Sequence, residues 1–153
     1  MNAFLKIPDV AGELVAAVKK ALAKAGYNGL VLGMWEAASE EVRKTEVERV
    51  TVEVGAITPQ GEEYAEAPVT IYVQTGWQSD PKRKRLAAIA ATVRKITSPA
   101  LDLLGEEAEP PIKPEHFAVR GISDYTREPF DVIDGWNVCA DRGTWYFSVN
   151  TQL

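Results

Sequence analysis

The stretch "VTIYVQTGWQSDPKRKRLAAIAATVRKI", residues 69–96, decides the fold class, because it passes from a two-residue period to a helical one within a few residues. Val69, Ile71 and Val73 alternate with Thr70, Tyr72 and Gln74, which predicts a strand with one apolar face. Asp80 stands directly before Pro81, a capping residue followed by the residue favoured at the first helical position. The helix is therefore expected to begin with the basic run Lys82, Arg83, Lys84 and Arg85. Leu86, Ile89, Ala90, Val93 and Ile96 recur at helical spacing and mark its buried side, with Arg94 and Lys95 off that stripe. Four cations at a helix N-terminus oppose the macrodipole, where acids ordinarily stand. That mismatch makes the run the sharpest local feature of the chain.

Upstream, Asp9 is a capping residue, Val10, Leu14, Val18 and Leu22 repeat every fourth position, and Gly26 suits a helix end. A helix from about Val10 to Ala25 follows, then a turn at "YNG" (27–29) and a short buried strand in "LVLGMW" (30–35). Residues 36–49, "EAASEEVRKTEVER", are compatible with a short helix or the start of a strand. From Arg49, Val50, Val52, Val54 and Ala56 alternate with polar residues and glycine, the period of a half-buried strand. "TPQGEEYAEAP" (58–68) reads as a polar connection. Downstream, "SPALDLLG" (98–105) adds a turn or short helix, and "EEAEPPIKPEH" (106–116) is an exposed connector. "HFAVRGISDY" (116–125) predicts a strand, and "NVCADRGTWYFSVN" (137–150) a hairpin turning near Asp141, Arg142 and Gly143. "TREPFDVIDGW" (126–136) between them is a loop or an irregular strand pair. The sum is one α+β domain over residues 1–153, two main helices packed on a mixed, largely antiparallel sheet, in the order α-β-β-β-α-β-β-β.

With 153 residues, 46% of them hydrophobic, the chain can bury one core of useful size. A net charge of -5 and a pI near 5.0 argue against a surface built wholly to hold nucleic acid. Cys139 is the only cysteine, which excludes an intrachain disulfide and a cysteine-rich metal site. Glu13, Lys19, Lys20 and Lys24 interrupt the N-terminal segment, so no signal peptide is expected, and no segment approaches the roughly 20 apolar residues that span a bilayer.

No nucleophile elbow, Walker loop, dinucleotide fingerprint or H-E-x-x-H motif occurs. His116 and Cys139 stand alone without a local catalytic signature and read as structural residues. Glu36, Glu40, Glu41, Glu46, Glu48 and Glu53, with Asp124, Asp131, Asp134 and Asp141, supply carboxylates for Mg²⁺-dependent nuclease chemistry, but their spacing is better matched by a solvated acidic face. The expectation is a protein that is not an enzyme and carries no cofactor or metal.

The basic run suits a phosphate or an acidic partner. Only Trp77 and Tyr72 lie near it as stacking aromatics, which favours protein contact or solvent over nucleic acid. Trp35, Trp77, Trp136 and Trp145 read as core or interface residues. The candidate interface is thus Lys82, Arg83, Lys84, Arg85 and Trp77, facing the acidic block Glu40, Glu41, Glu46 and Glu48 across subunits. Alternatives are a nucleic-acid-binding regulator using Lys82 to Arg85 and, below it, the nuclease.

An N-terminal helix, strands ending in "VTIYVQTGW", the helix "DPKRKRLAAIAATVRKI" and a β-rich end closing with "RGTWYFSVNTQL" together resemble the tail terminator and related minor tail proteins of long-tailed bacteriophages. The resemblance lies in element order and lengths over most of the chain. It implies a non-enzymatic virion protein, made in the host cytoplasm, that assembles as a hexameric ring capping the tail tube at the head-tail junction. Head-tail joining and other neck proteins share that pattern. The implied partners are further copies of the chain and other tail or neck proteins, with no membrane.

Overall fold

Asp9 accepts a hydrogen bond from the Gly12 N–H through its side chain (2.9 Å) and so starts α1 (Val10–Lys24), as its sequence position leads one to expect. The helix ends at Gly26, whose φ of 109° lets Tyr27 N–H reach back to the Leu22 carbonyl (2.8 Å) and Gly26 N–H to that of Ala23 (3.2 Å). Val10, Leu14, Val15, Val18 and Leu22 form its buried stripe. The computed structural model describes residues 2–37, 48–101 and 110–149.

A 3-10 turn (Ala3–Lys6) precedes α1. After it come β1 (Val31–Gly33), a one-turn α2 (Met34–Ala37), β2 (Glu48–Val54), β3 (Thr58–Gln60), β4 (Tyr64–Gly76), α3 (Lys84–Leu101), β5 (Ala118–Ile133) and β6 (Trp136–Ser148). The sheet runs β1-β2-β4-β6-β5, with β3 paired to the start of β4. Among the described residues only β1 and β2 run parallel; the other pairs are antiparallel. The α+β class and mixed, largely antiparallel sheet are as expected.

Strict alternation assigns the two faces of the sheet. Val50, Val52, Val69, Ile71, Val73, Trp145 and Phe147 join the stripes of α1 and α3 in one core. Each fully buried side chain of this size contributes about 1.5–3 kcal/mol over an exposed one. Near the start of β4, Phe4, Phe117 and Phe147 meet with ring centroids 5.2–6.2 Å apart, tying the first turn to the sheet. The opposite face carries a polar ladder: Arg49 Nε and Thr51 Oγ1 donate to Gln74 Oε1 (2.6 and 3.2 Å), and Arg142 pairs with Glu128 (2.6 Å).

Four expectations need correction. The terminal hairpin turns at Asp134 and Gly135, not at Asp141 to Gly143: both turn residues have positive φ (50° and 83°), as a two-residue turn matched to strand twist requires. Residues 126–136 are thus an irregular strand pair, one of the two expected alternatives, made of the end of β5, the turn and the start of β6, and the region from 118 on is one long hairpin rather than three strands. Asp141, Arg142 and Gly143 lie within β6, where Asp141 is buried and paired with Arg127 (2.6 Å) and Tyr125. Residues 58–68 are a short hairpin, β3 into β4, rather than a bare connection.

The fourth concerns the long helix. It begins at Lys84, not at Pro81: Asp80 to Arg83 first form a turn closed by Arg83 N–H on the Asp80 carbonyl (3.1 Å), with Arg83 at a φ of 56°. At its other end α3 runs through Pro99 to Leu101, and residues 102–105 lie outside the described residues.

Candidate functional site

Asp80 organises the end of the sheet where β4, β6 and α3 meet. It is 9% exposed, and its carboxylate accepts from Thr75 Oγ1 (2.8 Å), Leu86 N–H (2.9 Å) and Arg85 N–H (3.2 Å). It caps α3 from the first residue of the preceding turn. Burial alone would push its carboxyl up, but the N–H of Leu86 and Arg85, the Thr75 hydroxyl and the N–H of Lys84 together hold it below the usual aspartate value. The fully buried Asn137 completes the knot, donating to the Asp80 carbonyl (2.9 Å) and to Thr75 Oγ1 (3.2 Å). A buried charge is tolerated here because donors surround it.

This knot decides where the four cations go. The Arg83 guanidinium carbon sits over the Phe130 ring, 4.0 Å from its centroid, with Nε donating to Asn137 Oδ1 (3.4 Å). Arg85 turns the other way and holds Glu48 with two hydrogen bonds (2.6 and 3.1 Å). Lys82 and Lys84 are exposed. The one expected acid-base pair visible, Glu48 with the basic run, thus closes within a single chain. Glu40, Glu41 and Glu46 lie outside the described residues.

Beside the cations stands an apolar cluster at the tip of the β5–β6 hairpin. Trp77 is 50% exposed, and its N–H donates to the Gly135 carbonyl (2.9 Å), which holds it against the hairpin turn. Phe130, Val132 and Ile133 are exposed on the same hairpin. Val132 faces Asn137 across the ladder and Ile133 faces Trp136, so the tip is apolar on both sides of the sheet. Trp136 is half-buried under Arg49 (5.0 Å), Trp145 is in the core and Trp35 is exposed. Contiguous exposed apolar side chains rimmed by charge mark contact surfaces on soluble proteins.

The remaining candidates are occupied structurally. His116 Nδ1 lies 3.0 Å from Glu13 Oε2 and its N–H donates to Glu13 Oε1 (2.9 Å), which fastens the segment before β5 to α1. Glu115 adds a third potential ligand beside them. Cys139 is buried in the core, which pushes its thiol up and keeps it protonated. Asp124, Asp131 and Asp134 are spread along β5 and its turn, all three exposed, while Asp141 is neutralised by Arg127. Among the described residues no helix is long and apolar enough to cross a membrane. Neither a family model nor a curated protein matches the chain.

Proposed function

We propose that the chain is a non-enzymatic assembly protein that forms a ring through the aromatic and basic end of its sheet, as a tail terminator or neck component of a long-tailed bacteriophage. The observation that carries this reading is the hairpin tip with its neighbours. Trp77, Phe130, Val132 and Ile133 are left outside the core and gather at one end of the sheet. Their cost in water is recovered only when another surface covers them. Tryptophan and arginine side chains are also those that carry most energy at protein interfaces. The bacteriophage setting comes from the resemblance in element order.

Light scattering over a range of protein concentrations at two salt levels tests it. The expected result is a mass that rises to a discrete multiple of the monomer, and Ile133→Asp should return it to the monomer. A wild-type chain that stays monomeric at every concentration refutes the reading.

A second reading, contact with single-stranded nucleic acid, draws on the same Arg83–Phe130 stack and on Trp77. Asp131 and Asp134, exposed on the same tip, oppose a phosphate backbone. Quenching of tryptophan fluorescence by an oligonucleotide at low salt, lost as salt rises, would favour it.

A further inference from the structure

At the opposite end of the sheet lies an open apolar groove of about 410 Å³, lined by Phe4, Leu5, Ile7, Val10, Ile57 and Pro59. Leu5 points out at its edge, 68% exposed. We propose that the hairpin tip of one copy seats in this groove of the next, so that copies join head to tail. The inference rests on the ring reading and supplies the contact it requires.

Three observations select this occupant. The first is placement. The groove is held at the start of β4, where Ala3 N–H donates to the Glu62 carbonyl (2.7 Å) and Asn2 Nδ2 to those of Gly61 and Tyr64 (2.7 and 3.0 Å). The tip is held at the end of β4, where Gly76 faces Trp136. Thirteen residues of β4 separate the two, a span of roughly 40 Å at the usual rise of a strand. They cannot meet within one chain, and they are different surfaces, so their contact is heterologous and repeats into a ring or a filament.

The second is charge. Asp9 lines the groove, and exposed Glu62 stands in the turn whose carbonyl holds Ala3 beside it, with Glu63 next in sequence, while Lys82, Arg83 and Lys84 flank the tip. Lys6, exposed in the turn that lines the groove, suits Asp131 or Asp134 on the tip. Opposite signs therefore meet in both directions when the tip enters.

The third is that the other obvious surface is blocked. β5 is the longer of the two edge strands and would accept another chain along its edge, but its register shifts at three places and Pro129 lacks an N–H. Bulges and proline are how edge strands resist pairing. The narrow two-residue turn, by contrast, makes a slender tip that can enter a groove.

Cysteine cross-linking reads the contact directly. Leu5→Cys and Ile133→Cys chains, mixed and mildly oxidised, should give a covalent dimer that neither forms alone, and one chain with both substitutions should give a ladder. Assembly to the normal mass with no cross-link in the mixture overturns the proposal while leaving the ring reading intact. Dimers of Ile133→Cys alone overturn it in favour of a two-fold, tip-to-tip contact. A chain monomeric at every concentration refutes the ring reading itself. As an independent measure, Lys82→Glu with Lys84→Glu should weaken association about tenfold at low salt. Glu62→Lys with Glu63→Lys on the partner should restore it, and absence of rescue counts against the proposed pairing.

Discussion

Replacing Asp80 by alanine should cost about 2–3 kcal/mol of stability. The carboxylate receives two of the first helical N–H groups of α3, from Arg85 and Leu86, and the hydroxyl of buried Thr75. Loss of a helix cap costs about 1–2 kcal/mol, and a buried hydroxyl deprived of its acceptor about 1 more. For a chain of this length each kcal/mol lowers Tm by about 2–4 °C, so the melt should move down by about 5–10 °C. Asp80→Asn keeps one acceptor oxygen and should lose about half as much. Urea denaturation followed by circular dichroism and by tryptophan fluorescence measures both, with an unchanged slope confirming that the folded state is the same.

The pH dependence carries its own sign. The folded carboxyl titrates below its ordinary value near 3.8, so its stabilisation is fully present above about pH 4. It is lost as pH falls through the lower folded value. The gap between wild type and Asp80→Ala should therefore be constant from pH 7 to 5 and shrink toward pH 3. An alanine variant within about 0.5 kcal/mol of wild type at pH 7, or a gap that persists unchanged at pH 3, refutes the assignment of Asp80 as the charged cap of α3.

His116 should titrate above its usual 6.5, first because of its hydrogen bond to Glu13, and Glu13→Gln should bring the midpoint down in an NMR titration. Its raised folded value means the latch stabilises below about pH 6.5 and weakens as pH rises through the folded midpoint. Gly135→Ala should lower Tm by about 3–6 °C, because a left-handed alanine costs about 1–2 kcal/mol even though nothing crowds its Cβ.

What the sequence displayed and what it concealed follow a physical line. Local signals were legible where they act locally: Asp9, the stripe of α1 and Gly26 set that helix to within a residue. Asp80 was correctly seen as a cap but assigned to the wrong turn, because a left-handed Arg83 lets the chain fold once more before the helix starts. The hairpin was misplaced because Asp141 and Gly143 look like turn residues. In the fold a partner 14 positions away, Arg127, pays the cost of burying Asp141, and the turn falls instead at the Asp134-Gly135 pair. The basic run was legible as a feature, but not its division. Arg85 meets Glu48 and Arg83 meets Phe130 only through sheet register, which no spacing in the sequence encodes. The groove was invisible for the same reason, since Leu5 and Ile57 come together only when the first turn docks on β4.

Cys139 gives the molecule an internal clock. Its sulfur lies buried in β6, the strand flanked by both β4 and β5, and its thiol is held protonated. A disulfide reagent added to the native protein reacts only when that part of the sheet opens. Where closing outpaces the chemistry, the modification rate divided by that of a small free thiol reports the free energy of the opening. If copies lock together at the ends of the sheet, the same clock should slow as the protein is concentrated, registering assembly from a side chain far inside the fold.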